Sequence, residues 1–297
     1  MRRAALVLNP AAGSHRAPRT AAALERLFAQ HGVRLELLAT RRPGEATALA
    51  RAAAARGDLD CLLAFGGDGT LREVAAGVLG SEQLVAVLPG GTTNVVAGAL
   101  GLPRAPLAAA RLLLERGKVR LVDVGLAGGE PFLMQASAGL DARALAAVPP
   151  GAKRRFGRLA VVAAGLAAWT RYRFPEIELE ADGEPFRATG VAVCNLPEYA
   201  GPYRLAPGGS WEDRRLDLFL FRGRGRRAAL GFALALVRGH HAARPDVEIR
   251  PVGEVRLTGP ADLRGIDFQA DGDPLRPAVP LAIRLAPARL RLLAPAR

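Results

Sequence analysis

The sequence predicts an α/β N-terminal nucleotide-binding domain with a parallel sheet, followed by a β-rich C-terminal domain of antiparallel, sandwich-like character. Three observations carry this. Before residue 95, an apolar strand pattern runs into a glycine-rich turn and then a helix pattern, three times over. From about Val119 the helical patterns give way to short strands separated by turn residues. Within that second stretch, Asp182-Gly183 and Asp271-Gly272 are hairpin-type turn pairs.

The elements follow in order. Ala4–Leu8 is a strand that enters Asn9-Pro10-Ala11-Ala12-Gly13-Ser14. Leu62–Phe65 is a second, entering Gly66-Gly67-Asp68-Gly69-Thr70. Leu84–Leu88 is a third, entering Pro89-Gly90-Gly91-Thr92-Thr93-Asn94. Helix patterns fall at Leu24–Phe28, Ala46–Ala55, Leu71–Leu79 and Leu107–Arg116. Strands interleaved with helices are expected to form a parallel sheet over residues 1 to 122. In residues 123 to 285 and just before, strands are expected at Val119–Val124, Phe132–Ala136, Ile177–Ala181, Pro185–Cys194, Leu216–Phe221, Val247–Pro251, Glu254–Thr258, Ile266–Ala270 and Leu281–Leu285. A helical insert is expected near 153–172.

The second turn is the most informative. Glycine there admits a positive φ and close approach of a ligand to bare backbone. The following helix offers unpaired N–H groups and a partial positive charge, which suit a phosphate. Asp68 sets a carboxylate beside that phosphate, where Mg2+ is usually held. The bland reading is a tight βα turn with a solvated Asp. All three turns fall at the carboxyl ends of strands, where open α/β sheets bind ligands.

Asn9-Pro10-x-x-Gly13, Gly66–Thr70 and Pro89-x-Gly91-Thr92-x-Asn94, in this order and spacing, resemble the diacylglycerol kinase catalytic-domain family, and most of all its soluble bacterial lipid kinases. Sphingosine and ceramide kinases are more distant. Thr40-x-x-x-Gly44-x-Ala46, Asp123-Val124-Gly125, Ser137-Ala138-Gly139-Leu140-Asp141 and Asp271-Gly272-Asp273-Pro274-Leu275 also match, so the resemblance covers nearly the whole chain. The Gly66–Thr70 pentad alone does not discriminate, since NAD kinases and phosphofructokinases carry similar strings.

The resemblance implies an ATP- and Mg2+-dependent lipid kinase that phosphorylates a hydroxyl of a lipid such as diacylglycerol. It implies that residues 1–122 bind ATP, that 123–285 bind the lipid, and that a tail of about 286–297 returns to the first domain. Asn9, Pro10, Gly13, Thr40, Gly66, Gly67, Asp68, Gly69, Thr70, Gly91, Thr92, Thr93 and Asn94 would then form the nucleotide site. Asn94 read by itself is equally an N-cap, and Thr40 is promoted by the family pattern alone. Asp123 would join Asp68 in the metal network, against a turn or capping role. The proton acceptor would be Asp273, with Asp271 as backup, where the family usually shows Asp-Gly-Glu; an Asp-Gly pair is also an ordinary turn. The chemistry would fall between the domains.

Two departures stand out. Many bacterial members carry Asp after the Asn of the third turn, and here it is Val95. The family's Asp-Asp-Gly-x-Leu-Asp string, a structural Mg2+ site, reads Glu212-Asp213-Arg214-Arg215-Leu216-Asp217. Asp213 keeps the matching carboxylate, with backbone carbonyls of Ser210 and Arg215 to complete the site.

Composition fits a globular enzyme and does not choose its substrate. With 297 residues, half of them hydrophobic, the chain can bury a large core. Cys61 and Cys194 lie in apolar runs and read as buried thiols of a reducing compartment, hence a cytoplasmic protein. The start of the chain is too short in apolar residues for a signal peptide. Leu159–Trp169, at 11 residues, falls short of the roughly 20 that cross a bilayer. The net charge of +13 is almost all arginine. Lys153-Arg154-Arg155-Phe156-Gly157-Arg158 precedes the Leu159–Trp169 run and Arg171-Tyr172-Arg173-Phe174 follows it. Such flanks on an apolar helix point to peripheral contact with an anionic inner membrane face, against a core helix with solvated ends. A second basic group, Arg222 to Arg227, precedes Ala228–Val237. Nucleic acid is a poor partner, with aromatics at 5% and no binding motif. A homodimer stays open. The alternatives to a lipid kinase are an NAD kinase and a non-catalytic lipid- or nucleotide-binding member of the family.

Overall fold

The structure is a computed structural model that describes residues 1–10, 17–148, 165, 167, 169–259, 266–276 and 280–296. It divides into two compact units, Met1–Val122 with Pro287–Arg297, and Asp123–Ala286.

The first unit runs β1 (Arg3–Leu8), α1 (Ala17–Gln30), β2 (Arg34–Ala39), α2 (Glu45–Ala55), β3 (Cys61–Gly66), α3 (Asp68–Val78), β4 (Leu84–Pro89), α4 (Val95–Ala99), α5 (Pro106–Arg116) and β5 (Gly117–Val122). Its sheet has the order β2-β1-β3-β4, then the C-terminal strand Leu290–Pro295, then β5. All neighbours are parallel except β5, which runs antiparallel to the C-terminal strand. Every residue of β3 is buried, as a central parallel strand covered on both faces requires. The β1-to-β2 connection runs one way across the sheet and the next two run the other. Right-handed crossovers therefore place helices on both faces; α1 packs with α5 and α2 with α3. β2 is absent from the sequence reading. It is a half-exposed edge strand whose Arg34-Leu35-Glu36-Leu37 alternation is short and interrupted.

The second unit begins with β6 (Gly125–Ala127), β7 (Glu130–Phe132), β8 (Gln135–Ala138) and α6 (Leu140–Ala146). It continues with β9 (Ile177–Ala181), β10 (Glu184–Ala188), β11 (Gly190–Cys194) and the short pair β12 (Glu198–Tyr199) and β13 (Tyr203–Arg204). Then come β14 (Leu216–Phe221), α7 (Gly225–Val237), β15 (Val247–Val252), β16 (Glu254–Gly259), β17 (Phe268–Ala270), β18 (Asp273–Leu275) and β19 (Leu281–Leu285). Two antiparallel sheets result, β10-β9-β16-β19-β6-β7 and β15-β14-β11-β8-β17-β18. Ile177, Leu179, Val255 and Ile283 of one meet Val191, Val193, Leu216 and Leu218 of the other in a common core. The alternate residues Ala192, Cys194, Phe219 and Phe221 face the opposite way, into a second core with Ala229 and Leu236 of α7. The antiparallel sandwich is therefore present, and the second sheet is buried on both faces.

Both Asp-Gly pairs are two-residue hairpin turns. Ala181 pairs with Glu184 and Ala270 with Asp273, with φ values of 49 and 84 at Asp182-Gly183 and 50 and 86 at Asp271-Gly272. Three expected strands are divided. Pro185–Cys194 is two strands in different sheets, because Thr189 breaks the run: its hydroxyl donates to the carbonyls of Phe221 (3.1 Å) and Gly223 (2.7 Å). Phe132–Ala136 breaks at Leu133-Met134, whose amides turn to Asp271 instead of a ladder. Val119–Val124 stops at Val122, and Gly125 starts a strand of the other unit. The insert near 153–172 lies largely outside the described residues; 169–171 are helical. Cys61 and Cys194 are buried free thiols.

Candidate functional site

In the first unit, the ends of β1 to β4 draw the predicted nucleotide residues together. Asn9 follows β1; its amide donates to the Phe65 carbonyl (3.1 Å) and its side-chain Nδ2 to Thr70 Oγ1 (3.4 Å). Thr40 follows β2; its amide and hydroxyl both donate to the Leu8 carbonyl, at 2.9 and 3.3 Å. The direction of strand connection reverses between β1 and β3, and the crevice at such a reversal is where open sheets take ligands. Pro10 is exposed, and Gly13 lies outside the described residues.

The second and third turns touch through backbone. The Gly90 amide donates to the Gly66 carbonyl at 2.8 Å. A Cβ on Gly91 would stand 2.5 Å from the Gly67 Cα, and one on Gly66 would stand 2.3 Å from Thr70 Oγ1. No side chain fits at either position, so glycine is demanded by packing. Asn94, at φ 50, closes the third turn on itself: its Oδ1 accepts from the Gly91 amide and its Nδ2 donates to the Gly91 carbonyl, both at 2.8 Å. Thr92 and Thr93 at the tip are exposed.

Asp68 is the only carboxylate the three turns carry. It opens α3, and Gly69 lies beside it in the first turn, where helix N–H groups have no preceding carbonyl to reach. Its two oxygens accept from the amides of Val95 (3.0 Å) and Val96 (3.1 Å), so it ties the second turn to the start of α4. Burial pushes its carboxyl up from the ordinary range, and the two amides pull against that. A carboxylate accepts about four hydrogen bonds, so capacity remains for a hard cation. Val95 is itself buried, so apolar packing fills the position after Asn94.

In the second unit, Asp271 is only 8% exposed and has positive φ. Its carboxylate accepts from the amides of Leu133 (2.6 Å), Met134 (2.8 Å) and Gln135 (3.0 Å), and its own amide donates to the Gln135 carbonyl (3.0 Å). It clasps the chain between β7 and β8. Asp273, two residues on, is half-buried at the start of β18. The turn between them is braced by Gln269, whose Oε1 accepts from the Gly272 amide (2.7 Å). The Gln269 Nε2 donates to Ser137 Oγ (2.6 Å), which donates to Asp141 Oδ2 (2.5 Å). Burial pushes the Asp141 carboxyl up, opposed chiefly by the Ser137 hydroxyl. Sequence reading assigned no role to Ser137 or Asp141, although both lie in a matched string. Gln269 carries no sequence signal.

Asp123 is fully buried, and Arg214 serves both its oxygens: the backbone amide donates to Oδ2 (2.8 Å) and the guanidinium to Oδ1 (3.1 Å). The same guanidinium reaches the Ala286 carbonyl (3.4 Å). Arg214 sits at φ 64, the conformation for which glycine is the usual choice. Asp213 Oδ1 accepts from the Arg215 amide (3.0 Å) and Ser210 Oγ from the Glu212 amide (3.3 Å). Among the described residues no group of three or more His, Cys, Asp or Glu side chains is placed to hold a metal ion. The cation that this turn presents to Asp123 is the side chain that replaces glycine. Arg214→Ala is expected to lower unfolding stability by about 1.5–3 kcal/mol, the cost of one hydrogen bond to a charged group, since the backbone amide at 214 still donates to Asp123. Arg214→Gly should lose roughly 1 kcal/mol less, because it relieves the positive φ. Urea unfolding of the two variants beside the parent checks both the loss and its order.

Residues 3–127 match the model described as the diacylglycerol kinase catalytic domain, and 134–294 match that of the YegS C-terminal NAD kinase beta sandwich-like domain. A protein named "Diacylglycerol kinase" from Bacillus subtilis (strain 168) is 32% identical over 245 residues, covering 81% of this chain and 80% of its own. The chain belongs to the diacylglycerol kinase catalytic-domain family. A Pseudomonas aeruginosa (strain UCBPP-PA14) protein named "Probable lipid kinase YegS-like" is 30% identical over 301 residues, 98% of this chain and 94% of its own. A crystal structure of a diacylglycerol kinase from Bacillus anthracis str. Sterne superposes with a TM-score of 0.72 at 20% identity, covering 99% of this chain and 97% of its own. At that identity the likeness is one of fold. Among the described residues, no helix is long and apolar enough to cross a membrane.

Proposed function

We propose that this member of the family transfers the γ-phosphate of ATP to a hydroxyl of a membrane lipid, diacylglycerol first among candidates. The observation that carries this is the convergence of Asn9, Thr40, Gly66–Thr70 and Gly90–Asn94 at the ends of four parallel strands, with Gly66 and Gly91 enforced by close packing. Phosphoryl transfer is mostly positioning and charge neutralisation. The bare turns and the start of α3 accept phosphate oxygens, and Asn94 fixes the third turn in the shape that does so. Mg2+, held by Asp68 with the phosphates, would supply the neutralising charge.

The second unit supplies the acceptor side of this reading. Its sandwich core is apolar and its turn at Asp271–Asp273 carries two carboxylates. Asp271 is committed to three backbone amides, which favours Asp273 as the group that takes the proton from the lipid hydroxyl. Labelled ATP with a panel of diacylglycerol, sphingoid base, phosphatidylglycerol and NAD tests the acceptor. Diacylglycerol is expected to be labelled in a Mg2+-dependent way. Robust labelling of NAD with no lipid labelled would overturn the assignment.

A further inference from the structure

The outward face of α7 departs from what a surface helix normally shows. Its inner side packs Ala229, Phe232 and Leu236 on the second sheet, with the Phe232 ring 5.4 Å from Phe219 and 5.1 Å from Phe221. The opposite side of a surface helix is ordinarily polar. Here it carries Leu230, Leu234 and Val237, which are 50%, 46% and 61% exposed and lie at i, i+4 and i+7 on one stripe.

The charges around the stripe are equally unusual. Arg224, Arg226 and Arg227 crowd the start of α7, and Arg238 follows its end; the stretch 224–238 has no acidic residue. Arginines at a helix N-terminus oppose the helix dipole, which prefers anions there. Arg224 pairs with Glu176 (2.7 Å) and Arg226 donates to the Thr170 carbonyl. Arg227 and Arg238 are exposed and make no ion pair among the described residues. An apolar stripe with an exposed arginine near each end is complementary to a surface of phosphate headgroups over hydrocarbon. At 13 residues α7 spans about 20 Å, too short to cross a bilayer and suited to lie on one.

We infer that α7 docks this protein on anionic lipid bilayers, with Leu230, Leu234 and Val237 entering the headgroup–acyl boundary and Arg227 and Arg238 meeting headgroup phosphates. The inference rests on the reading of the acceptor as a membrane lipid. It also moves the contact from where the sequence placed it: the Lys153–Arg158 cluster lies outside the described residues, whereas the end of that segment joins α7, the Trp169 indole N–H donating to the Arg226 carbonyl (3.1 Å).

The full chain is to be sedimented with vesicles of phosphatidylglycerol and phosphatidylcholine, and with phosphatidylcholine alone, at low and high salt. Binding to the anionic vesicles, weakened by salt, is expected. Leu230→Ser/Leu234→Ser/Val237→Ser should weaken it at least about 10-fold, and so should Arg227→Glu/Arg238→Glu at low salt. Both variants should melt with the parent and should phosphorylate a dispersed short-chain diacylglycerol at the parent rate. Vesicle binding by the serine variant equal to the parent's overturns the inference, as does failure of the parent to bind. A dimeric parent whose serine variant is monomeric yet binds vesicles normally would assign the stripe to a second copy of this chain instead. If vesicle binding depends on α7 while no lipid is phosphorylated, docking stands and the kinase reading falls.

Discussion

Asp68→Ala is expected to leave a folded protein without measurable phosphoryl transfer, at least about 10³-fold below the parent, the upper end of what one preorganised electrostatic group contributes. The reason is that no other carboxylate lies in the three turns, and the position after Asn94 is occupied by buried Val95. The variant also removes the acceptor of two amides, Val95 and Val96, which should cost about 1–3 kcal/mol of stability. The loss of activity therefore needs separating from a disordered third turn. Asp68→Asn does so: its amide oxygen retains one of the two amides while its charge is gone. Asp68→Asn is expected to melt between Asp68→Ala and the parent, since one of the two amides keeps its acceptor, and to be as inactive as Asp68→Ala. Nucleotide binding, measured by calorimetry with and without Mg2+, should lose its Mg2+ enhancement in both. An Asn variant with near-parent turnover would reduce Asp68 to the strut between turns.

The parts of the fold that were legible in the sequence are those where backbone geometry leaves little choice of residue. The glycines of the second and third turns were visible because a Cβ has no room: at Gly91 it would meet the Gly67 backbone, at Gly66 the Thr70 side chain and at Gly90 the Phe65 ring. The hairpins at Asp182 and Asp271 were visible because positive φ at two successive residues selects Asp-Gly. What was not legible depends on partners distant in sequence. The break at Leu133-Met134 is caused by a carboxylate 138 residues away from Leu133, and nothing local marks it. Thr189 divides a continuous apolar run by bonding to Phe221 and Gly223. Arg214 in place of glycine reads from sequence as a damaged metal string; in the structure it is the partner of Asp123.

The same distinction separates the two carboxylates of the Asp271–Asp273 turn, which sequence reading could rank only by family pattern. Asp271 is engaged by three amides, so Asp271→Asn should act on folding: one amide oxygen must replace a carboxylate that spans Leu133 to Gln135. A lowered melting temperature is expected, with activity falling in step with the folded fraction.

Asp273→Asn should behave in the opposite way. Its side chain is half-buried at the head of β18, and the turn that presents it is held by Gln269 through the Gly272 amide whatever residue 273 is. The melting temperature should fall less than that of Asp271→Asn, whose carboxylate holds three backbone amides. Removing a general base costs about 10²–10⁴-fold in rate, so kcat should fall by that order while ATP affinity is retained. Asp273→Glu should keep activity or raise it, since the carboxylate is retained on an arm one methylene longer. Rates and melting curves for the three variants decide the assignment together. If Asp273→Asn turns over like the parent, and a fully folded Asp271→Asn is inactive, the base is Asp271 and its three amides serve to poise it.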